Sequence, residues 1–223
     1  MAFHGSEFAA LRRHMVEHQL RRRGIHDEAV LAAMGAVPRE LFVPPELASE
    51  AYDDGPLPIG GGQTISQPWV VAAMIQMIEP QPTDRVLEVG AGSGYAAAVL
   101  SRIVAEVVTI ERLASLAEAA RERITRFGYD NVTVVEGDGS LGHAPRAPYN
   151  AILVAAGAPA VPDELCRQLA IGGRLVIPVG QSRLLQELVR VRRIDDSSFE
   201  TERLEGVRFV PLIGAQGWND PAD

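Results

Sequence analysis

The sequence predicts a single α/β domain: a Rossmann-like, mostly parallel sheet covered by helices, with an N-terminal helical cap and an antiparallel C-terminal hairpin. Three observations predict it. From Arg85 onward, short apolar β-branched runs alternate with amphipathic stretches of helical period. The first of those runs leads straight into a glycine-rich turn, Gly90-Ala-Gly-Ser-Gly94. Near the C-terminus, two strand-like stretches flank the turn Asp195-Asp-Ser-Ser198.

Each element follows from local pattern. Ser6 is a cap candidate for a helix through Arg23, with Phe8, Leu11, Met15 and Leu20 at near-helical spacing. Gly24 separates it from a second helix that Asp27 can cap, running to Met34. Pro38, Pro44, Pro45, Pro56 and Pro58 then forbid a long helix, and residues 60–66 read as a loop. Residues 69–78 form a further helix, with Pro68 at its start and Pro80 just beyond it. Strands are expected at 85–89, 107–110, 132–135, 151–154 and 174–177, and helices at 95–104, 113–127 and 163–169. That order implies right-handed crossovers and a parallel sheet buried on both faces. Stretches 184–191 and 199–210 form the terminal hairpin. Functionally the chain divides into a cap with a substrate loop (1–80), a cofactor-binding core (81–182) and the hairpin (183–223).

Composition removes several chemistries. The chain has 223 residues and a net charge of −8, and all 21 of its Lys+Arg residues are arginine. Without lysine there is no internal Schiff base, no pyridoxal attachment and no complete P-loop. The acidity argues against a dedicated nucleic-acid binder. The lone Cys166 makes neither an internal disulfide nor a multi-cysteine zinc site, and a reducing, cytoplasmic setting is expected. No signal-peptide pattern opens the chain, and no apolar run approaches the roughly 18 residues of a membrane span.

The most informative stretch is Val86-Leu-Glu88-Val-Gly90-Ala-Gly92-Ser-Gly94-Tyr95. Glycines at a strand-to-helix turn let a ligand approach the backbone, and the helix start offers unpaired amides. The spacing Gly-x-Gly-x-Gly departs from the dinucleotide fingerprint Gly-x-Gly-x-x-Gly. Glu88 also places a carboxylate where a pyrophosphate would be repelled and the ammonium and sulfonium of S-adenosylmethionine attracted. Glu111 closes the second strand, positioned to accept from both ribose hydroxyls. Asp138, in Glu136-Gly-Asp-Gly139, follows the third and is placed to accept from an adenine amino group, with Gly139 letting the backbone come close. Loop residues Gly90, Ala91, Gly92, Ser93 and Gly94, with Arg112 beside Glu111, complete the expected cofactor-binding set. Three carboxylates at the ends of successive strands favour a cationic adenosyl cofactor over a dinucleotide.

The segment Leu57-Pro-Ile-Gly-Gly-Gly-Gln-Thr-Ile-Ser-Gln-Pro68 resembles the protein-L-isoaspartate O-methyltransferase family, as do Glu136-Gly-Asp-Gly139, Gly172-Gly-Arg-Leu-Val-Ile-Pro-Val-Gly180 and Val207-Arg-Phe-Val-Pro-Leu212. The glycine loop is generic to methyltransferases, whereas the Gln-Thr-Ile-Ser and Val-Arg-Phe-Val-Pro segments are specific. The resemblance implies the S-adenosylmethionine-dependent methyltransferase fold and methyl transfer to the free carboxylate of an L-isoaspartyl residue in a damaged protein or peptide. The ester then cyclises to a succinimide, the first stage of repair. It implies that Ser66 is the active-site serine, aiming the substrate carboxylate rather than attacking, and that Thr64, Ile65, Val207, Arg208 and Phe209 hold an extended peptide. The departures are Asn150, where the family usually has aspartate, and a short N-terminal extension.

Blander readings stand beside these. Ser66 alone would be a turn residue, and Glu88, Glu111 and Asp138 would be satisfied carboxylates or caps. His14-Met-Val-Glu-His18 spells an inverted zinc-protease motif, but five arginines surround it, so no metal is expected. Cys166 reads as a small hydrophobe, Trp69 and Trp218 as core or lid residues. The rival functions are a methyltransferase for a small metabolite or RNA and a non-catalytic adenosyl-ligand sensor. A monomer is expected, with no nucleic-acid or membrane partner.

Overall fold

The computed structural model describes residues 5–182 and 185–219. Its main sheet has seven strands: β3 (Arg85–Val89), β4 (Glu106–Glu111), β5 (Val132–Glu136), β6 (Tyr149–Val154), β7 (Leu169–Ser182), β8 (Leu185–Arg193) and β9 (Phe199–Val207). A separate two-stranded hairpin, β1 (Leu57–Gly60) and β2 (Gln63–Ile65), precedes it. The order in the main sheet is β5-β4-β3-β6-β7-β8-β9. The strands from β5 to β7 pair in parallel, and β8 and β9 add antiparallel pairs. The chain reverses direction across the sheet between β3 and β6, so the crevice at their carboxyl ends is where such a sheet offers a ligand site.

The helices are α1 (Gly5–His14), α2 (Glu28–Ala36), α3 (Pro68–Met77), α4 (Tyr95–Leu100), α5 (Ala114–Arg126) and α6 (Asp163–Arg167). Asp27 caps α2 as expected, its carboxylate accepting from the amides of Ala29 and Val30. The expected helix through Arg23 is not regular. α1 is described from Gly5, so Ser6 lies within the helix rather than capping it, and a π-helical turn, Met15–Leu20, then buries both Met15 and Leu20. A short 3₁₀ turn, Arg21–Arg23, follows and ends at Gly24 in the left-handed region.

Two further expectations are corrected. Residues 60–66 are not a loop throughout: Gly61 and Gly62, both with positive φ, form the tight reversal of the β1–β2 hairpin. The fifth strand of the parallel set, expected over 174–177, extends over 14 residues: Pro178 to Ser182 continue the pairing with β8, and at its start Leu169 pairs with Tyr149 of β6. The expected strand from residue 184 begins outside the described residues, and β8 is described from Leu185.

Side-chain alternation along the strands divides the core in two. Val86, Val107, Ala151 and Leu153 face the N-terminal helices and join Met15, Leu31, Met74 and Ile75. Leu87, Val89, Val108 and Ile152 face the opposite layer with Leu165 and Leu212. Glu88, two residues after Val86, therefore projects toward the helical cap. Among the described residues no helix is long and apolar enough to cross a membrane.

Candidate active site

A cavity of about 400 Å³ opens at the carboxyl ends of β3, β4 and β6. Its floor is the glycine turn, where Gly90 and Gly92 line the cavity with positive φ, while Gly94, also with positive φ, packs against Ala120 and Ile124 of α5 and does not line it. At Gly92, with φ 52°, a Cβ would also meet Ile59 Cδ1 of the hairpin at 3.1 Å. The hairpin thus lies across the turn. Gly139 is held as tightly from the other side, since a Cβ there would come within 2.4 Å of Val89 Cγ1.

Two carboxylates reach this cavity. Glu111 is nearly buried, and its Oε2 accepts from the Gly92 amide at 2.9 Å while Oε1 accepts from the Leu113 amide at 3.0 Å. Each oxygen keeps a lone pair for a ligand hydroxyl. Glu88 is 1% exposed and accepts from the Thr109 hydroxyl, its register partner on β4, at 2.5 Å. Burial pushes the Glu88 carboxyl up to about 8; the Thr109 bond opposes the rise and the neighbouring Glu111 charge adds to it.

Of the other expected cofactor residues, Ala91, Ser93, Arg112 and Gly139 line the same cavity. Asp138 is placed differently. Its Oδ1 accepts from the amide and hydroxyl of Ser140, at 2.9 and 2.7 Å, and its Oδ2 from the Ala215 amide at 2.7 Å. The carboxylate anchors the 214–216 segment and does not line the cavity, so two acidic side chains rather than three face it. Asn150 lies at the far end of the sheet, where its Oδ1 accepts from the Arg85 amide at the start of β3. The departure at that position leaves the crevice untouched.

Thr64, Ile65 and Ser66 form one wall of the cavity, with Phe209 facing them from beyond β9. Val207 and Arg208 do not reach it. They line an adjoining groove of about 740 Å³, which shares Thr64, Ser66 and Phe209 with the first cavity and runs on past Gln67 and Trp69. The Ser66 hydroxyl has no hydrogen-bond partner among the described residues, which leaves its proton to a ligand. Two supporting residues gave no sequence signal: Gln186, buried on β8, accepts from the Phe209 amide at 2.8 Å, and the buried Arg39 donates to the Ser66 carbonyl at 2.8 Å.

Fold and crevice together define the class, an S-adenosylmethionine-dependent methyltransferase. The model of the protein-L-isoaspartate(D-aspartate) O-methyltransferase family matches residues 11–217. The chain belongs to that family. It is 61% identical over 204 residues to protein-L-isoaspartate O-methyltransferase 2 of Pelobacter propionicus, covering 92% of this chain and 91% of that one. It is 55% identical to the protein-L-isoaspartate O-methyltransferase of Methanoregula boonei, covering 94% and 95%. A solved protein-L-isoaspartate O-methyltransferase superposes with a TM-score of 0.83 at 31% identity, over 92% of this chain and 67% of that one. A structure from Plasmodium falciparum, described as a putative member in complex with S-adenosyl-L-homocysteine, superposes with a TM-score of 0.79 at 26% identity, over 91% and 98%.

Proposed function

We propose that the chain transfers a methyl group from S-adenosylmethionine to the free carboxylate of L-isoaspartyl residues in damaged proteins and peptides, starting their repair through a succinimide. The observation that carries this reading is one wall shared by two spaces. Thr64, Ser66 and Phe209 border both the cavity of about 400 Å³ and a groove of about 740 Å³ lined from Arg23 and Trp69 to Arg208. That groove supports a peptide over a small metabolite, and the −8 charge weighs against RNA. We read the protein as acting as a monomer in the cytoplasm, without nucleic-acid or membrane partners, and keep the cap, core and hairpin as parts of one functional domain.

The residues present fit an adenosyl cation. The glycine turn allows close backbone approach, Glu111 presents acceptors suited to ribose hydroxyls, and Glu88 offers a counter-charge for an ammonium group. Gly90 to Ser93, Arg112 and Gly139 complete that pocket, and Gly94 starts the helix behind it. When bound, the cofactor supplies an electrophilic methyl group. A carboxylate nucleophile with a pKa of roughly 4 arrives ionised, so no side chain has to remove a proton. The task of Ser66 is then orientation, donating to one carboxylate oxygen so that the other faces the cavity. Thr64, Ile65, Val207, Arg208 and Phe209 hold the flanking peptide, and the apolar side chains of Ile65, Val70 and Met74 keep water from the methyl donor. Asp138 serves indirectly, by fixing the segment after Ile213.

Labelled S-adenosylmethionine should pass its methyl group to an isoaspartyl peptide and leave the same peptide with normal aspartate unlabelled. Equal labelling of the two, or none, contradicts the proposal.

Glu88 gives a pH signature. Because its folded pKa is raised from 4.5 to about 8, the free protein binds this proton more tightly than the unfolded chain. Stability from this group is complete below about 4.5 and declines until about 8. A cationic ligand favours the ionised form, so cofactor binding at neutral pH should release a proton and tighten as pH rises toward 8. Calorimetry in two buffers of different ionisation enthalpy measures that release. In Glu88→Gln the release should vanish, affinity should fall, and the ligand-free protein should melt higher than wild type at alkaline pH.

A further inference from the structure

Among the described residues Arg39 is the largest side chain that the fold buries completely, at 0% exposed. Among the described residues no carboxylate pairs with it. Its Nε donates to the Ala51 carbonyl at 2.7 Å, one Nη2–H donates to the Ser66 carbonyl at 2.8 Å, and Nη1 has no partner. The guanidinium lies 4.9 Å from the centre of the Tyr95 ring. Desolvation lowers the pKa of such a group, and an apolar side chain of similar volume commonly serves a core as well or better. Packing alone therefore does not account for an arginine here.

Its contacts do. Ser66 opens the short strand-to-helix link between β2 and α3 and borders both the cavity and the groove. Tyr95 opens α4 directly after Gly94, and also lines the cavity. The guanidinium thus joins the wall that carries the substrate-facing serine to the element that carries the glycine turn. Its planar fork fixes two donors at a set angle, which an ammonium cannot do.

The short 3₁₀ turn that bears it, Arg39–Phe42, is clamped from outside. Arg12 donates to the Tyr52 hydroxyl at 2.9 Å and pairs with Glu40 at 3.4 Å, while the Tyr52 hydroxyl donates to Glu40. Gln19, on the π-helical turn, donates to the Tyr52 carbonyl at 2.8 Å, one residue from the Ala51 carbonyl that Arg39 holds.

We propose that Arg39 is a positioning residue for methyl transfer: by holding the Ser66 carbonyl against the Tyr95 side of the cavity, it sets where the Ser66 hydroxyl meets the substrate carboxylate. The proposal rests on the reading of Ser66 given above. Arg39 donates to the Ser66 and Ala51 carbonyls and, among the described residues, not to the glycine turn or to Glu111, so its loss should change turnover far more than cofactor affinity.

A double-mutant cycle tests it, with Arg39→Met, Arg39→Lys and Ser66→Ala. Turnover of an isoaspartyl peptide and calorimetric affinity for S-adenosylhomocysteine are measured for each. Arg39→Met should lower kcat by about 10-fold or more, keep S-adenosylhomocysteine affinity within about 2-fold, and be partly rescued by Arg39→Lys, which retains one donor. In the Ser66→Ala background the same change should matter less than about 3-fold, because the hydroxyl it orients is gone. If Arg39→Met does not fold, Arg39→Lys carries the cycle with a smaller loss. Equal losses in both backgrounds, or a parallel fall in S-adenosylhomocysteine affinity, would overturn the role of Arg39 and leave Ser66 standing. A Ser66→Ala variant as active as wild type would overturn both.

Discussion

Ser66→Ala should lower kcat/KM for an isoaspartyl peptide by roughly 10- to 100-fold while S-adenosylhomocysteine binds as before. Ser66 lies on the shared wall of the two spaces and its hydroxyl has no hydrogen-bond partner among the described residues, so its removal breaks no hydrogen bond of the folded protein there. What is lost is one hydrogen bond to an ionised carboxylate, about 1.5 to 3 kcal/mol, which converts to that range of rate. A serine acting as nucleophile would instead give a loss several orders of magnitude larger. Steady-state kinetics on one peptide, with calorimetry on the same preparation, separates the two.

Glu111→Ala should have the larger effect on the cofactor, weakening S-adenosylhomocysteine by roughly 100- to 1000-fold. The carboxylate does two things at once. It accepts from the Gly92 and Leu113 amides, tying the glycine turn to the start of α5, and its remaining lone pairs face the cavity. Truncation orphans two amides and removes the ribose acceptors. On the order of 3 to 4 kcal/mol is a modest sum for such a site. Glu111→Gln is no rescue, since its amide nitrogen must face one of the two backbone donors. The turn should also loosen, lowering the melting temperature of the ligand-free protein. A loss of affinity under about 3-fold would mean that the ligand makes no use of this carboxylate.

The central parallel strands were legible because they are short, buried and mostly apolar runs, from Val86 to Val89 and from Ala151 to Val154, while the half-buried edge strand β5 was marked by its branched residues, Val132 to Val135. The glycine turn was legible because three positive-φ positions leave glycine almost no substitute. The hairpin over the crevice was hidden by the same property: Gly60, Gly61 and Gly62 read as a loop, and nothing in one strand shows that Leu57 pairs with Ile65. β7 was half seen, since Gly172-Gly173 and Pro178 look like boundaries, yet Pro178 pairs with Leu188 of β8 and Leu169, before the glycines, pairs with Tyr149 of β6. Asp138 shows the limit of spacing. Position after a strand places a carboxylate near the crevice, but whether it faces ligand or the Ala215 amide is decided by a segment 77 residues away. Arg39 is the extreme case, since its partner carbonyls belong to Ala51 and Ser66 and backbone acceptors carry no residue signature.

The most direct test of the central claim is mass spectrometry of a matched peptide pair, isoaspartyl and normal, incubated with the protein and S-adenosylmethionine. The isoaspartyl peptide should gain one methyl group and then lose methanol to give the succinimide, while the normal peptide stays unchanged. Methylation of the normal peptide to the same extent, or an ester on the isoaspartyl peptide that never cyclises, would contradict it.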